Sequence, residues 1–379
     1  MIVDSINIGS ASLRHCRFRR HGGGWRTLIR ERLALSLTGT ALEQAVADAL
    51  SGLPEASAVL YRVVHGGGRF QPELVTPDLL EQLRRLTPLA PLHQPPAIAA
   101  MRHALRLRPD CRHLALFDSL PFQHLPTAST DYALPREVVC RIPQGWPARR
   151  LGFHGFAHLS MCHQAQSNGE DRRLITMQLG GGVSLTAWRG HQPVDTSMGV
   201  TALEGPLMAT RSGDLDPGLL LALLQQGAID AHRLGDALYR DSGLLGLSGI
   251  SDHVDRIQAA NNEDGNRALA QYEHRLRRYL GAFMAVLGGC DELVIGGGTG
   301  EHQPALRERL LTPLRDLGFH LDARRNARAT APKRARSVQA AGSAIRLTVA
   351  AVDEEKEMLL AAAPLLSRLA GEHHDERRI

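Results

Sequence analysis

Ile2-Val3-Asp4-Ser5-Ile6-Asn7-Ile8 opens the chain and runs directly into Gly9-Ser10-Ala11 and a Ser12-Leu13 exit. Leu174-Ile175-Thr176-Met177-Gln178-Leu179 repeats the device, with Gly180-Gly181-Gly182 as its turn and Val183-Ser184-Leu185 as its exit. Apolar runs on both sides of a small-residue turn predict a β-hairpin in each place. A third glycine cluster, 296–300, follows the buried-strand run Glu292-Leu293-Val294-Ile295 and precedes a helix-like segment from Pro304 to Leu311. One such cluster is an ordinary tight turn. Three at strand ends suit a protein that wraps backbone N–H groups around phosphates.

Helical periodicity marks residues 41–50, 79–86, 97–107, 217–226, 266–287 and 354–369. Strands alternating with helices imply α/β layers. A length of 379 residues predicts two domains. Proline-rich stretches at 88–96 and 121–135 read as segment boundaries, and 371–379 as a polar tail.

Composition narrows the function. Charged residues make up 22% and hydrophobic residues 43%, a soluble globular balance with a net charge of only +5. The basic residues do not gather in one stretch, so no nucleic-acid partner is expected. No apolar run reaches membrane-helix length, and residues 1–12 lack a basic region before an apolar core; a cytoplasmic protein without a membrane partner is expected. Five scattered cysteines without a CxxC pair read as reduced thiols. Only two of the 44 basic residues are lysines, Lys333 and Lys356. A Walker A loop is absent, so anions must be met by arginine, histidine, backbone N–H groups or a metal.

Other motifs fail in turn. His65-Gly66-Gly67-Gly68 has an esterase-like look but no GxSxG elbow accompanies it. The GxGxxG and HExxH patterns are missing, and His158, Cys162 and His163 lack metal-ligand spacing. What remains is a series of polar residues at strand ends and turns.

Those residues carry a resemblance. Asn7 to Ser12, RVVHGG (62–67), LAPLH (89–93), FD (117–118), GFHG (152–155), VDTSMG (194–199), LEG (203–205), TRSGDLDP (210–217), SGLLGLSGIS (242–251), GTGE (298–301) and DEE (353–355) occur in that order. In this, nearly the whole chain resembles the acetate kinase family of the actin–hexokinase superfamily. The resemblance implies two actin-like ATPase (ribonuclease H-like, βββαβαβα) domains with an interdomain active-site cleft. The expected division is 1–121 plus 356–379 for the first and 122–355 for the second, which would bind nucleotide and form a homodimer.

The same resemblance implies transfer of the γ-phosphoryl of ATP to a short-chain carboxylic acid, acetate or propionate, giving acyl phosphate and ADP with Mg²⁺ (or Mn²⁺). It assigns Asp118, His154 and Arg211 to catalysis. Arg62, Val64, Leu92, His93, Phe153 and Ala202 fall to the acid, and Asn7 and Glu354 to the metal, with the adjacent Glu355 as a rival ligand. Ser10, Ser12, Arg14, Gly180, Gly181, Gly182, Gly298 and Gly300 fall to the nucleotide phosphates. Forked guanidinium groups suit carboxylate and phosphoryl oxygens, and carboxylates suit a hard cation. His65, His158 and Asp195 read as supporting or turn residues.

The chain also departs from the family. Arg14 stands for a Lys, Gln178 for a His, Gly181 for an Asn, Phe156-Ala157 for Thr-Ser, His302 for an Asn and Ala202 for a Pro; Asp252–Arg256 fits only after a one-residue slip. The reacting centre is therefore intact while the nucleotide side is altered. Two alternatives follow: a catalytically weak relative that binds nucleotide or acyl phosphate, and a kinase using pyrophosphate or another donor.

Overall fold

The computed structural model describes residues 1–9, 12–34, 39–51, 54–165, 169 and 171–375. Two compact units divide the chain. The first comprises Met1–Gln123, Leu134–Pro147 and Asp353–Ile379; the second comprises His124–Ala133 and Ala148–Val352. Residues 134–147, expected in the second domain, join the first unit, where the Trp146 indole donates to the Arg85 carbonyl.

Each unit is built on one sheet. The first contains β1 (Ile2–Ile8), β2 (Ser12–His21), β3 (Gly24–Ala34), β4 (Ala58–Val63), β5 (Glu73–Leu74) and β6 (Arg112–Phe117), in the order β3-β2-β1-β4-β6-β5. The second contains β7 (Arg173–Leu179), β8 (Val183–Arg189), β9 (Gln192–Thr196), β10 (Glu292–Gly296), β11 (Arg336–Ser337) and β12 (Arg346–Val349), in the order β9-β8-β7-β10-β12-β11. The two orders are the same. In each, an antiparallel meander of three strands continues through its first strand into parallel neighbours. The likeness of the two hairpins thus reflects a shared topology.

Helices fill in behind. On the first sheet, Thr40–Leu50 and Gln94–Leu107 pack Val46, Met101 and Ala104 into one core with Ile6, Val59 and Phe117. In the second unit, Met161 and Cys162 of the helix Gly155–Gln164 pack with Leu174, Trp188 and Val294. Helix Pro77–Arg85 starts two residues before its periodicity because the Thr76 hydroxyl accepts from the Leu79 N–H at 3.1 Å, with Pro77 in the first turn. Glu263–Leu287 starts three residues early for a similar reason: Asn262 accepts from the Gly265 N–H at 2.9 Å.

Two expectations need correction. The glycine cluster at 296–300 is not a turn but the end of β10 running straight into the short helix Gly297–His302. The supposed tail is helical through Asp375, as part of Glu354–Asp375.

Candidate active site

In the first unit the site grows from four adjacent strands, β2, β1, β4 and β6. β1 is a central strand with all seven residues buried, yet it carries Asp4, Ser5 and Asn7. Buried polar groups of this kind must be partnered. Asp4 is held by Arg17 of β2 (2.7 and 2.8 Å) and by His15 Nε2 (3.0 Å). At the turn end of β1, the Asn7 amide donates to Glu354 Oε2 (3.0 Å) and Glu355 Oε1 (2.7 Å), and its Oδ1 accepts from Arg62 at 3.4 Å.

Arg62 on β4 and Asp118, just beyond β6, form a two-point pair: Nε to Oδ1 at 2.9 Å and Nη2 to Oδ2 at 2.5 Å. Both are buried, and register brings them together because Val63 pairs with Phe117. Burial alone would lower the Arg62 pKa, but the Asp118 carboxylate raises it, so the guanidinium stays charged. Arg14 on β2 pairs with both Glu354 and Glu355. Burial pulls its pKa down and Glu355 pulls against that. Both glutamates lie in the first turn of Glu354–Asp375, where the helix dipole favours negative charge.

The structure thus unites Asn7, Arg14, Arg62, Asp118 and Glu354. Glu355 joins them as an equal partner of Asn7 and Arg14. Val64 is buried just after β4, and His93 precedes the helix Gln94–Leu107; Gln94 ties the two segments by donating to the His65 carbonyl at 2.9 Å. Leu92 is half-buried beside His93. Ser12 accepts from Arg32 Nε at 3.3 Å. Ser10 lies outside the described residues.

The second unit brings together a different set. His154, at φ 55° and ψ 31°, sits in the left-handed region at the head of the helix Gly155–Gln164. Non-glycine residues there are uncommon, though histidine is enriched. Its Nδ1 lies 2.8 Å from Ser184 Oγ. A Cβ built on Gly182 would collide with the Arg211 guanidinium and with Cε1 and Nε2 of His154. Only glycine at 182 lets both side chains come so close to the β7–β8 turn.

Arg211 is buried and donates from Nη1 to the Ala202 carbonyl at 2.6 Å, so Ala202, expected as an apolar wall, also holds the arginine through its backbone. The Ala209 N–H donates to the Gly181 carbonyl at 3.3 Å, fastening the loop before Arg211 to the same turn. Phe153 is buried beside His154. Gly297, at φ 80°, has no room for a Cβ beside the Leu179 carbonyl and the Gln178 amide, so Gly180–Gly182 and Gly297–Gly300 neighbour each other. The Gly297 N–H is already used by Glu301 at 3.2 Å, leaving Gly298 and Gly300 further along the helix turn.

Missed by the sequence reading were Ser184 and Thr176, whose hydroxyls meet His154 and His158. Their signal was present: alternating Thr and Ser on strands that otherwise read as apolar.

Two six-stranded sheets of this order, each carrying polar residues at its strand ends, define a phosphotransferase of the two-domain actin-like ATPase fold. The sequence model of the acetokinase family matches residues 31–361, and the chain belongs to that family, whose members phosphorylate a carboxylate. It is 38% identical over 370 residues to an acetate kinase of Clavibacter michiganensis subsp. michiganensis, covering 94% of this chain and 90% of that one. To an acetate kinase of Rhodopseudomonas palustris it is 41% identical over 277 residues, 72% of this chain and 68% of the relative. The crystal structure of Porphyromonas gingivalis acetate kinase aligns with a TM-score of 0.80 at 28% identity, over 96% of this chain and 99% of that one. A propionate kinase from Francisella tularensis aligns at 0.81 and 26%, over 95% and 98%.

Proposed function

We propose that the chain transfers the γ-phosphoryl group of ATP to acetate or propionate, reversibly, by direct in-line displacement. The observation that carries this is the packing of Arg211 and His154 on Gly182, which sets two donors against a glycine turn at a strand end. A carboxylate oxygen attacks the γ-phosphorus; an O–P bond forms as the bond to the β,γ-bridging oxygen breaks, and that oxygen leaves on ADP. The acceptor is already ionised, so no proton has to move. The protein's work is positioning and charge stabilisation.

Arg211 and His154 donate to the equatorial oxygens of the transferring group. Arg62, oriented by Asp118, faces the acid with His93 in support, and Val64, Leu92, Phe153 and Ala202 surround its alkyl group. Ser10, Ser12 and Arg14 on the first hairpin, with Gly180, Gly181, Gly182, Gly298 and Gly300, hold the nucleotide phosphates.

Among the described residues no group of three or more His, Cys, Asp or Glu forms a ready metal cage. Asn7 Oδ1 and the carboxylates of Glu354 and Asp118 are hard donors of the kind Mg²⁺ takes, one or two at a time beside water and substrate phosphates. They fit Mg²⁺ (or Mn²⁺), which they would hold and which would supply positive charge against the substrate phosphates.

We place the protein in the cytoplasm as a homodimer; no described helix is long and apolar enough to cross a membrane. The second unit offers a surface for pairing: helix Pro217–Gln225 leaves Leu219 and Leu221 54% and 56% exposed. Light scattering should give twice 41.3 kDa, and a monomer mass would refute the dimer.

The deciding experiment incubates each acid from acetate to butyrate with ATP, pyrophosphate or polyphosphate and traps acyl phosphate with hydroxylamine. Product with ATP and acetate or propionate is expected. No product with any pairing overturns the reading.

A further inference from the structure

Behind His154 runs a buried chain of hydrogen bonds. Ser184 Oγ lies 2.8 Å from His154 Nδ1 and 2.8 Å from His158 Nε2. His158 Nδ1 lies 2.7 Å from Thr176 Oγ1, which accepts from the Trp188 indole N–H at 2.9 Å. Ser184, His158, Thr176 and Trp188 are all buried.

The direction of the chain follows from counting protons. An indole N–H can only donate, so Thr176 accepts at that end. The Thr176 hydroxyl has one proton and, among the described residues, two takers: His158 Nδ1 at 2.7 Å and the Thr186 carbonyl at 3.5 Å. The shorter is a full-strength hydrogen bond and the longer is at the limit of one. With Nδ1 accepting, neutral His158 must carry its proton on Nε2 and donate it to Ser184. Ser184 also has a single proton, which then goes to His154 Nδ1. His154 Nδ1 is thereby an acceptor, and its own proton sits on Nε2, the edge that faces Gly182 beside Arg211.

We infer that Trp188, Thr176, His158 and Ser184 form a one-way hydrogen-bond chain that fixes His154 in the Nε2–H tautomer, making Ser184 and His158 positioning residues for phosphoryl transfer. Burial also pushes the His158 pKa down to about 3, which keeps that ring neutral and able to pass the polarity on. The role in transfer rests on the acyl-kinase reading above; the tautomer does not.

The test is ¹⁵N NMR of the intact protein labelled at its 18 histidines, with His154 assigned by the signals lost in His154→Gln. Wild type should show a proton on Nε2 and a bare Nδ1. Ser184→Ala, which removes one hydroxyl, should give a mixture of tautomers and lower kcat about tenfold with KM little changed, the value of one hydrogen bond. Thr176→Val should mix the tautomers from two links away. A proton on Nδ1 in wild type overturns the inference without any variant needing to fold, and so does a wild-type tautomer in Ser184→Ala. An inactive wild type with His154 in the Nε2–H form sinks the kinase reading and leaves the chain of bonds standing.

Discussion

The two sheets have the same strand order and opposite chemistry. Register makes Asn7 opposite Arg14 in the first hairpin equivalent to Gln178 opposite Ser184 in the second. At these places the first unit uses charge: Arg14 and Arg62 are paired with Asp118 and two glutamates around Asn7. The second uses hydroxyls, a neutral imidazole and glycines, and admits one buried arginine beside the turn. Burying ions demands partners on every side, whereas a neutral hydroxyl chain can be buried at lower cost and still orient a donor. One topology therefore carries two kinds of strand end: an ionic frame, and a glycine turn against which an arginine and a histidine pack.

Five measurements test that contrast. Arg211 brings its guanidinium against the second turn, so Arg211→Ala should lower kcat by about 10³–10⁵-fold, as loss of an arginine finger does. Arg211→Lys keeps the charge without the fork and should stay severely impaired; near wild-type turnover would remove Arg211 from the centre. Gly182→Ala should cost about 10²-fold in kcat by displacing Arg211 and His154, with Tm nearly unchanged.

On the ionic side, Asp118→Asn strips a buried guanidinium of its counter-charge, and denaturant unfolding should show a loss of about 3–5 kcal/mol. The histidines of the two units should answer pH with opposite sign. Burial opposes charge on His15, but Asp4 and Glu31 raise its pKa; its contribution is complete below the unfolded value near 6.5 and is lost as pH rises through the folded one. His158, depressed to about 3, contributes fully above 6.5 and loses that contribution as pH falls, with a limiting slope of about 1.4 kcal/mol per pH unit. Replacing each with Gln should flatten the stability–pH curve on its own side, and equal slopes would erase the distinction.

The smallest effect concerns the acid. Ala202 has less volume than the proline usual in the family, and one extra buried methylene is worth about 0.8 kcal/mol, close to fourfold. Ala202→Pro should therefore shift the kcat/KM ratio of propionate to acetate downward by about that factor. An unchanged ratio would leave Ala202 only its carbonyl contact with Arg211.

Much of this was legible. Both hairpins, the helix Pro304–Leu311 and the α/β layering follow from apolar periodicity and turn residues. Ordered motifs reached Arg62, Asp118, His154, Arg211 and Glu354. The exact equivalence of the hairpins was not legible, because the shared Ser-Leu exit aligns Ser12 with Ser184 while strand register aligns Arg14 with it. That slip is two residues, a full side-chain period, so it keeps the same face and the inside–outside pattern does not reveal it. Caps at Thr76 and Asn262 shifted two helix starts, since capping lies outside periodicity. The Thr176–His158–Ser184 chain was only half legible: Thr176 and Ser184 share the β7–β8 hairpin, but His158 reaches them from the helix Gly155–Gln164, which no local pattern reveals.

His154 stands in a left-handed backbone conformation that a non-glycine residue adopts at a cost of about 1–3 kcal/mol. Glycine or asparagine would relax the main chain there, and neither offers an imidazole. On the role proposed for His154, selection for a sturdier protein and selection for a working one pull this position in opposite directions. A drift away from histidine in a descendant chain would signal that turnover no longer mattered to its host.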